Sequence, residues 1–244
     1  MIELINLTKN YGKVLAVDCV NLHVSKGEIF GFIGPNGAGK TTTIRMMGGV
    51  LAPSEGSVII DRIDMADDPE GVKRKIGFIP DRPFLYEKLT GMEFMKFSAD
   101  LYGVNQRSFC EKAPGLLKKF GLNDWSHELI ESYSHGMKQR LIISAALLHE
   151  PAVIIVDEPM VGLDPAAIRM VKDMLRDLAN KGTTIFMSTH TLEIAEDICD
   201  RIGIIHRGAL IATGTTKDLK RVAGIQEAAL EEAFLKLTEE QIVL

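Results

Sequence analysis

The stretch GPNGAGKT, residues 34–41, decides how the rest of this sequence is interpreted. It follows the apolar run IFGFI at residues 29–33, which predicts a buried strand, and it precedes a predicted helix over residues 40–49. Glycines let backbone N–H groups curl around phosphate oxygens, and a helix N-terminus adds partial positive charge. The alternative is a glycine-rich turn with an exposed lysine. The pattern and its strand–helix setting favour a phosphate loop of the Walker A type.

This loop supplies the first candidate contacts to a nucleotide. Lys40 is expected to reach the β- and γ-phosphates, and the Thr41 hydroxyl is expected to ligate Mg²⁺. The expected nucleotide-binding residues of this segment are Gly34, Asn36, Gly37, Ala38, Gly39, Lys40, Thr41 and Thr42.

A second apolar strand, in the stretch VIIVDE at residues 153–158, ends in two carboxylates. Ligands bind beyond strand ends in open α/β sheets. Asp157 is expected to hold Mg²⁺ through its water shell, and Glu158 to polarise an attacking water. A solvated carboxylate turn before Pro159 is the alternative. The phosphate loop upstream favours the metal and water roles.

Strand-like and helical segments alternate in the first and last parts of the chain, which predicts a parallel sheet with helices on both faces. Short strands are expected at Ile2–Leu7 and Val20–Val24. Helical periodicity dominates residues 85–150, an inserted helical subdomain whose Met and Phe positions are expected to pack in a core. An amphipathic tail from about residue 225 to 237 is expected to be helical, and one interpretation is that it covers the sheet.

Composition excludes several other classes of protein. The 244 residues are 46% apolar and 25% charged, as in an ordinary globular protein. The net charge of -5, without a dense Lys/Arg block, argues against a dedicated nucleic-acid binder. Cys19, Cys110 and Cys199 are scattered, so we expect small buried thiols in a reducing cytosol. No apolar run approaches the roughly 18 residues of a membrane helix, so the chain is not expected to cross a bilayer.

Three further stretches resemble the ABC ATPase family, and with the motifs above the resemblance covers essentially the whole chain. The segment SYSHGMKQR at residues 132–140 is similar to the family signature, usually LSGGQ followed by QR. The matching positions are Ser134, Gly136, Gln139 and Arg140, and the departures are Tyr133, His135 and Met137. GLDP at residues 162–165 resembles the D-loop, and His190 stands at the position of the switch histidine.

The resemblance implies roles that these residues do not reveal alone. Read without it, Ser134 is an N-cap and His190 a structural residue after a strand. With it, Ser134 and Gly136 are expected to contact a γ-phosphate held by a partner subunit, and His190 the γ-phosphate of its own site. Asp164 joins the nucleotide contacts through the D-loop. Tyr11 stands where the family stacks an aromatic ring on adenine, with ordinary packing as the alternative.

Asp81 departs from the family, which usually has glutamine at this position. That glutamine contacts Mg²⁺ and the attacking water, on a segment that faces the membrane subunit. Aspartate is shorter and charged, so it could bind the metal more directly or lie farther from it. We carry the position over as a candidate metal ligand with Thr41 and Asp157.

The family fold implied is a phosphate-loop NTPase with a RecA-like parallel sheet core, an N-terminal antiparallel β subdomain and an inserted α-helical subdomain. One ABC ATPase domain is expected over 1–220. Residues 1–84 and 151–220 would form its catalytic core with the antiparallel β part, and 85–150 the insertion. Residues 221–244 would form a C-terminal helical tail.

The expected activity is ATP hydrolysis with Mg²⁺, with Glu158, His190 and Lys40 as catalytic residues. The expected partners are a second ATPase subunit, with a homodimer as the expected form, and a separate transmembrane permease, without nucleic acid. The signature variant and the tail resemble ABC-2-type exporters, which places the chain in the cytoplasm on the inner face of the membrane. Two alternatives stay open at this stage: a soluble ABC ATPase acting on ribosomes or nucleic acid, and a phosphoryl-transferring kinase.

Overall fold

The computed structural model describes residues 1–81, 84–225 and 229–239. The strands are β1 (Ile2–Tyr11), β2 (Val14–Val24), β3 (Ile29–Ile33), β4 (Glu55–Ile60), β5 (Ile63–Asp64), β6 (Ile76–Ile79), β7 (Val153–Asp157), β8 (Thr184–Thr189), β9 (Arg201–His206) and β10 (Ala209–Gly214). The helices are α1 (Lys40–Met47), α2 (Pro69–Lys75), α3 (Gly91–Leu101), α4 (Gln106–Lys119), α5 (His135–Leu147), α6 (Pro165–Asn180), α7 (Leu192–Ile198), α8 (Thr216–Val222) and α9 (Leu230–Glu239).

Six strands form the central sheet, in the order β10-β9-β3-β8-β7-β6. Neighbours from β9 to β6 are parallel, whereas β10 pairs antiparallel with β9. Every residue of β3 and β7 is buried, as expected for central strands covered on both faces. Ile33 pairs with Thr189, and Asp157 pairs with Ser188. The carboxyl ends of three strands therefore meet at one edge, where the phosphate loop, Glu158 and His190 all follow.

The antiparallel β part is present as a four-stranded sheet in the order β2-β1-β4-β5. Its first hairpin is longer than the sequence predicted, since β1 continues past Leu7 to Tyr11 and β2 begins at Val14. Register shifts between Leu4 and Asn10 break the period-two alternation, which explains the shorter prediction. Buried side chains of this sheet share one core with α1 and β3, so the two sheets pack together.

Helices α3, α4 and α5 occupy the region predicted to be helical. Thr90 and Glu93 form a reciprocal capping box that fixes the start of α3. Phe94 and Met95 are buried in the core that these helices share with the central sheet. Phe97, expected in that core, is instead 38% exposed, because it lies on the opposite face of α3 from Met95.

The tail packs against the sheet, as one interpretation of the sequence proposed. Leu219 of α8 and Leu230 of α9 are buried in one cluster with Ile202 and Ile204 of β9. The predicted tail helix began near residue 225, whereas α9 begins at Leu230; residues 226–228 and 240–244 lie outside the described residues. Helices α2 and α8 and strand β5 were not predicted, because each has seven residues or fewer and is too short for a clear period.

The three cysteines differ in their exposure. Cys19 and Cys110 are exposed, so the expectation that all three thiols are buried was wrong. Cys199 is partly buried, and burial raises the pKa of its thiol to about 12. Among the described helices, none combines the length and the apolar character needed to cross a membrane.

Candidate active site

The phosphate loop has a shape that only glycine permits at two positions. A β-carbon at Gly34 would lie 2.3 Å from the carbonyl oxygen of Ile205, and one at Gly39 would lie 2.5 Å from the carbonyl oxygen of Ala16. Gly39 also has a φ of 110°, in the left-handed region. The loop therefore lies closely against main chain on two sides.

Main-chain hydrogen bonds connect the loop to both sheets. The Gly208 N–H donates to the carbonyl of Ala38 at 2.9 Å, and the Asp18 N–H donates to the carbonyl of Gly208 at 2.9 Å. Gly208 lies in the turn between β9 and β10, and Asp18 lies on β2. The loop is thus held by a backbone bond from the β9–β10 turn of the central sheet, and that turn is itself bonded to β2 of the other sheet.

Helix α1 begins at Lys40, directly after the loop. Its first turn contains no acidic residue, and its N-cap, Gly39, has no side chain to occupy the free N–H groups. Lys40 is buried, and its Nζ donates to the carbonyl oxygens of Gly34 at 2.6 Å and Pro35 at 3.2 Å. The pKa of Lys40 is below its ordinary value, because burial lowers it by more than the nearby charges of Glu158 and Asp157 raise it. The helix end and the ammonium group together provide an anion site.

Asp157 lies at the end of β7, only 5% exposed, and its two carboxylate oxygens have different partners. Thr41 Oγ1 donates to one oxygen at 3.2 Å. Ser188 on β8 donates a short hydrogen bond to the other oxygen. A hydroxyl and a carboxylate at this separation are the hard oxygen ligands that Mg²⁺ prefers. Ser188 was not among the predicted site residues, because its position follows from the pairing of β7 with β8 and not from a motif.

Glu158 and His190 form a pair at the same edge of the sheet. His190 Nδ1 lies 2.8 Å from Glu158 Oε1, and because a carboxylate only accepts, Nδ1 is the donor. The Glu158 side chain is 13% exposed, and that of His190 is 57% exposed. Glu158 has a φ of 51°, in the left-handed region that is uncommon for a residue with a side chain.

A cavity of about 410 Å³ connects these groups. A volume of this size suits a small-molecule site. It is lined by Ala16, Asn36, Gly37, Gly39, Lys40, Thr41, Thr42, Asp81, Asp157, Glu158, Val161 and His190. Ten of these twelve were candidate site residues, and only Ala16 and Val161 were not predicted. Gly34 and Ala38 lie buried within the loop itself.

Besides Gly34 and Ala38, four candidates lie outside this cavity. Tyr11, 47% exposed, lines an adjoining cavity that also contains Thr41, Asp81 and Asp157. Ser134 is the N-cap of α5 and accepts from the Met137 N–H at 3.3 Å, and Gly136 follows in the first turn. Asp164 caps α6 by accepting from the Ala167 N–H at 2.8 Å. Within one chain, the signature and the D-loop aspartate do not line the phosphate-loop cavity.

The site combines an anion-binding loop, a buried lysine, a hydroxyl–carboxylate pair and a second carboxylate bonded to a histidine. These groups can bind a nucleoside triphosphate and activate a water for attack on its γ-phosphate. The fold and the site together define a phosphate-loop NTPase.

Comparisons with known proteins identify the family. The model of the family described as "ABC transporter" matches residues 17–161. The chain is 38% identical to the ABC-type transporter ATP-binding protein EcsA of Bacillus subtilis (strain 168), over 96% of this chain and 95% of that protein. It is 41% identical to the bacitracin transport ATP-binding protein BcrA of Enterococcus faecalis, over 91% of this chain and 71% of that protein.

Solved structures agree. An ATP-binding subunit of an ABC transporter superposes with a TM-score of 0.93 at 37% identity, over 98% of this chain and 99% of the other. A dimeric bacterial ABC transporter cassette, MJ0796, superposes with a TM-score of 0.81 at 29% identity, over 88% of this chain and 98% of the other. The chain belongs to the ABC transporter family, as an ATP-binding and ATP-hydrolysing subunit.

Proposed function

We propose that two copies of this chain close head to tail around two ATP molecules, each held between the phosphate loop of one copy and the Ser134 region of the other. The observation that carries this proposal is the position of Ser134. It is exposed at the start of the 13-residue helix α5, whose N-terminus suits an anion, yet it does not line the cavity of its own phosphate loop. The solved structure of a related cassette is dimeric, which supports the same arrangement here.

The residues of the site divide the chemistry among them. Thr41 and Asp157 would hold Mg²⁺, with Asp81, which lines the same cavity, as a further candidate ligand. When bound, Mg²⁺ would offset the negative charge of the phosphates. Glu158 would accept the proton of the attacking water, and His190 orients that carboxylate through its Nδ1–H.

Trapping the closed dimer tests this proposal. Glu158→Gln keeps the shape of the side chain but removes the base, so ATP binds and is not cleaved. We expect the variant to elute as a dimer with ATP and Mg²⁺ in size-exclusion chromatography with light scattering, and as a monomer with ADP. The same variant carrying Ser134→Arg, which places bulk at the expected contact, should stay monomeric with ATP. A Glu158→Gln chain that is monomeric in ATP would contradict the proposed head-to-tail dimer.

We also propose a membrane permease as the partner, bound through an aromatic surface formed by Phe84, Tyr86, Phe97 and Leu101. These side chains are 81%, 50%, 38% and 69% exposed. Phe84 and Phe97 each pack edge-on against Tyr86, with ring centroids 5.9 Å and 5.2 Å apart. A contiguous exposed apolar surface marks an interaction site. Phe84 lines one cavity with Asp81 and Asp157, so a partner bound to this surface would lie beside the nucleotide cavity.

Co-purification from gently solubilised membranes tests the permease. We expect a multi-spanning protein at near-equal stoichiometry with the tagged chain, and loss of that protein in Leu101→Asp. Val222→Asp is the matched control, because Val222 is 65% exposed on α8, away from the aromatic surface. Equal recovery with both variants would contradict the docking surface. Recovery with ribosomes or nucleic acid instead of a membrane protein would favour a soluble ABC ATPase.

Export is the proposed direction, with the chain on the inner face of the cell membrane. The signature variant and the C-terminal helix resemble ABC-2-type exporters, and BcrA, which is named for bacitracin transport, is among the relatives. Deletion of the gene should raise the intracellular level of the transported compound. A lower level on deletion would indicate uptake.

A further inference from the structure

His135, which departs from the family signature, contacts the D-loop of its own chain. A β-carbon built on Gly162 would lie 2.6 Å from His135 Cδ2 and 2.9 Å from its Nε2. The imidazole ring therefore lies directly on the α-carbon of Gly162. Beside it, a β-carbon on Gly136 would lie 3.6 Å from Leu163 Cδ2. The start of α5 and residues 162–163 thus form one packed contact.

The segment between Glu158 and Gly162 is a compact turn. The Val161 N–H donates to the carbonyl of Glu158 at 3.2 Å, and the Leu163 N–H donates to the carbonyl of Met160 at 3.3 Å. Met160 is buried. A displacement at Gly162 is therefore transmitted to Glu158 through three intervening residues, which two hydrogen bonds between residues 158 and 163 hold in a turn, and not through a flexible linker.

Helix capping does not account for the side chain at position 135. Ser134 already caps α5 through its hydroxyl, and His135 is exposed and has no ion pair within the described residues. Removal of the imidazole would leave the helix start intact. The contact with Gly162 is therefore the interaction that requires the imidazole ring of His135.

We propose that His135 is a positioning residue, whose ring couples the N-terminus of α5 to Glu158 through Gly162. The inference rests on the proposed head-to-tail dimer: a nucleotide that engages Ser134 from the partner copy presses on the His135 ring, and Glu158 of the same chain shifts with it. Binding of ATP at one site then changes the position of Glu158 at the other site. The result is positive cooperativity in ATP hydrolysis.

A double-mutant cycle on the full chain tests the contact itself. His135→Ala removes the ring, His135→Phe keeps an aromatic ring, and Gly162→Ala inserts the clashing methyl group at a φ of 74°. Without nucleotide, we expect Gly162→Ala to lower the melting temperature by several degrees when the ring of His135 is present. In the His135→Ala background the decrease should be about half as large, because only backbone strain is left. Equal shifts in both backgrounds would overturn the inference.

ATP hydrolysis then tests the coupling. We expect a Hill coefficient approaching about 2 for the wild type, near the number of sites, and about 1 for His135→Ala. Affinity of the monomer for a fluorescent ATP analogue should change less than about twofold, and His135→Phe should restore cooperativity. Lys138→Ala, one turn along α5, is the matched control and should keep it. A Glu158→Gln chain that fails to dimerise overturns the proposed function as well, whereas normal dimerisation with full cooperativity in His135→Ala overturns this inference alone.

Discussion

Ser188→Ala tests whether Ser188 positions the Asp157 carboxylate for Mg²⁺, as distinct from contributing only to the stability of the fold. Ser188 is completely buried and donates to Asp157 Oδ1, while Thr41 donates to Oδ2. Loss of a hydrogen bond to a buried charged group costs about 1.5–3 kcal/mol. For a chain of this size, each kcal/mol corresponds to roughly 2–4 °C, so the melting temperature should fall by roughly 3–12 °C. The carboxylate also loses the donor that fixes its orientation, and loss of such support weakens metal binding by about 10–100-fold.

The assay measures ATP hydrolysis against Mg²⁺ concentration, together with thermal unfolding. Ser144→Ala is the matched control, since Ser144 is equally buried but donates to the carbonyl of Arg140 at 2.8 Å, within α5. We expect the control to lose some stability with an unchanged Mg²⁺ requirement. If Ser188→Ala needs no more Mg²⁺ than the wild type at a temperature where both are folded, Asp157 does not depend on Ser188 and the reasoning fails.

Three further perturbations have expected outcomes. Gly34→Ala should abolish ATP binding in equilibrium titration, because its β-carbon would meet the Ile205 carbonyl at 2.3 Å; retained affinity would mean that the loop can move aside. His190→Ala should lower the rate of hydrolysis by about 10²-fold or more while ATP affinity stays nearly constant, as measured in single-turnover experiments, since the Glu158 carboxylate loses its 2.8 Å partner. Burial lowers the pKa of His149, whose Nε2 lies 3.0 Å from the Ile76 carbonyl. The unfolded chain therefore binds this proton more readily, and stability falls as the pH drops below about 6.5. In His149→Gln, the melting temperature should change less between pH 7.5 and 5.5 than in the wild type. An unchanged pH dependence would mean that other groups cause the loss of stability at low pH.

The parts of the molecule that depend on local chemistry were predictable from the sequence. The phosphate loop needs its glycines and lysine at fixed spacing, and β7 needs its apolar run before Asp157, so both can be read without knowing the fold. Their convergence follows from a parallel sheet, whose strand ends share one edge. This is why ten predicted site residues line one cavity.

Features set by tertiary pairing were not predictable in the same way. Ser188 supports Asp157 only because β8 lies next to β7 in this register. The contact of His135 with Gly162 joins segments that are distant in the sequence, and no local period reports it. The exposure of Phe97 depends on which face of α3 meets the core, and its apolar side chain alone suggested burial.

The hydrogen bond from the Gly208 N–H to the Ala38 carbonyl restrains the phosphate loop through main-chain atoms alone. A loop restrained in this way has less conformational entropy to lose when a nucleotide binds. In the proposed dimer, correspondingly more of the binding free energy of ATP is available for drawing two subunits together. Since Gly208 uses only main-chain atoms, this rigidity is insensitive to the side chains of neighbouring turn residues. A substitution such as Arg207→Ala should leave it intact.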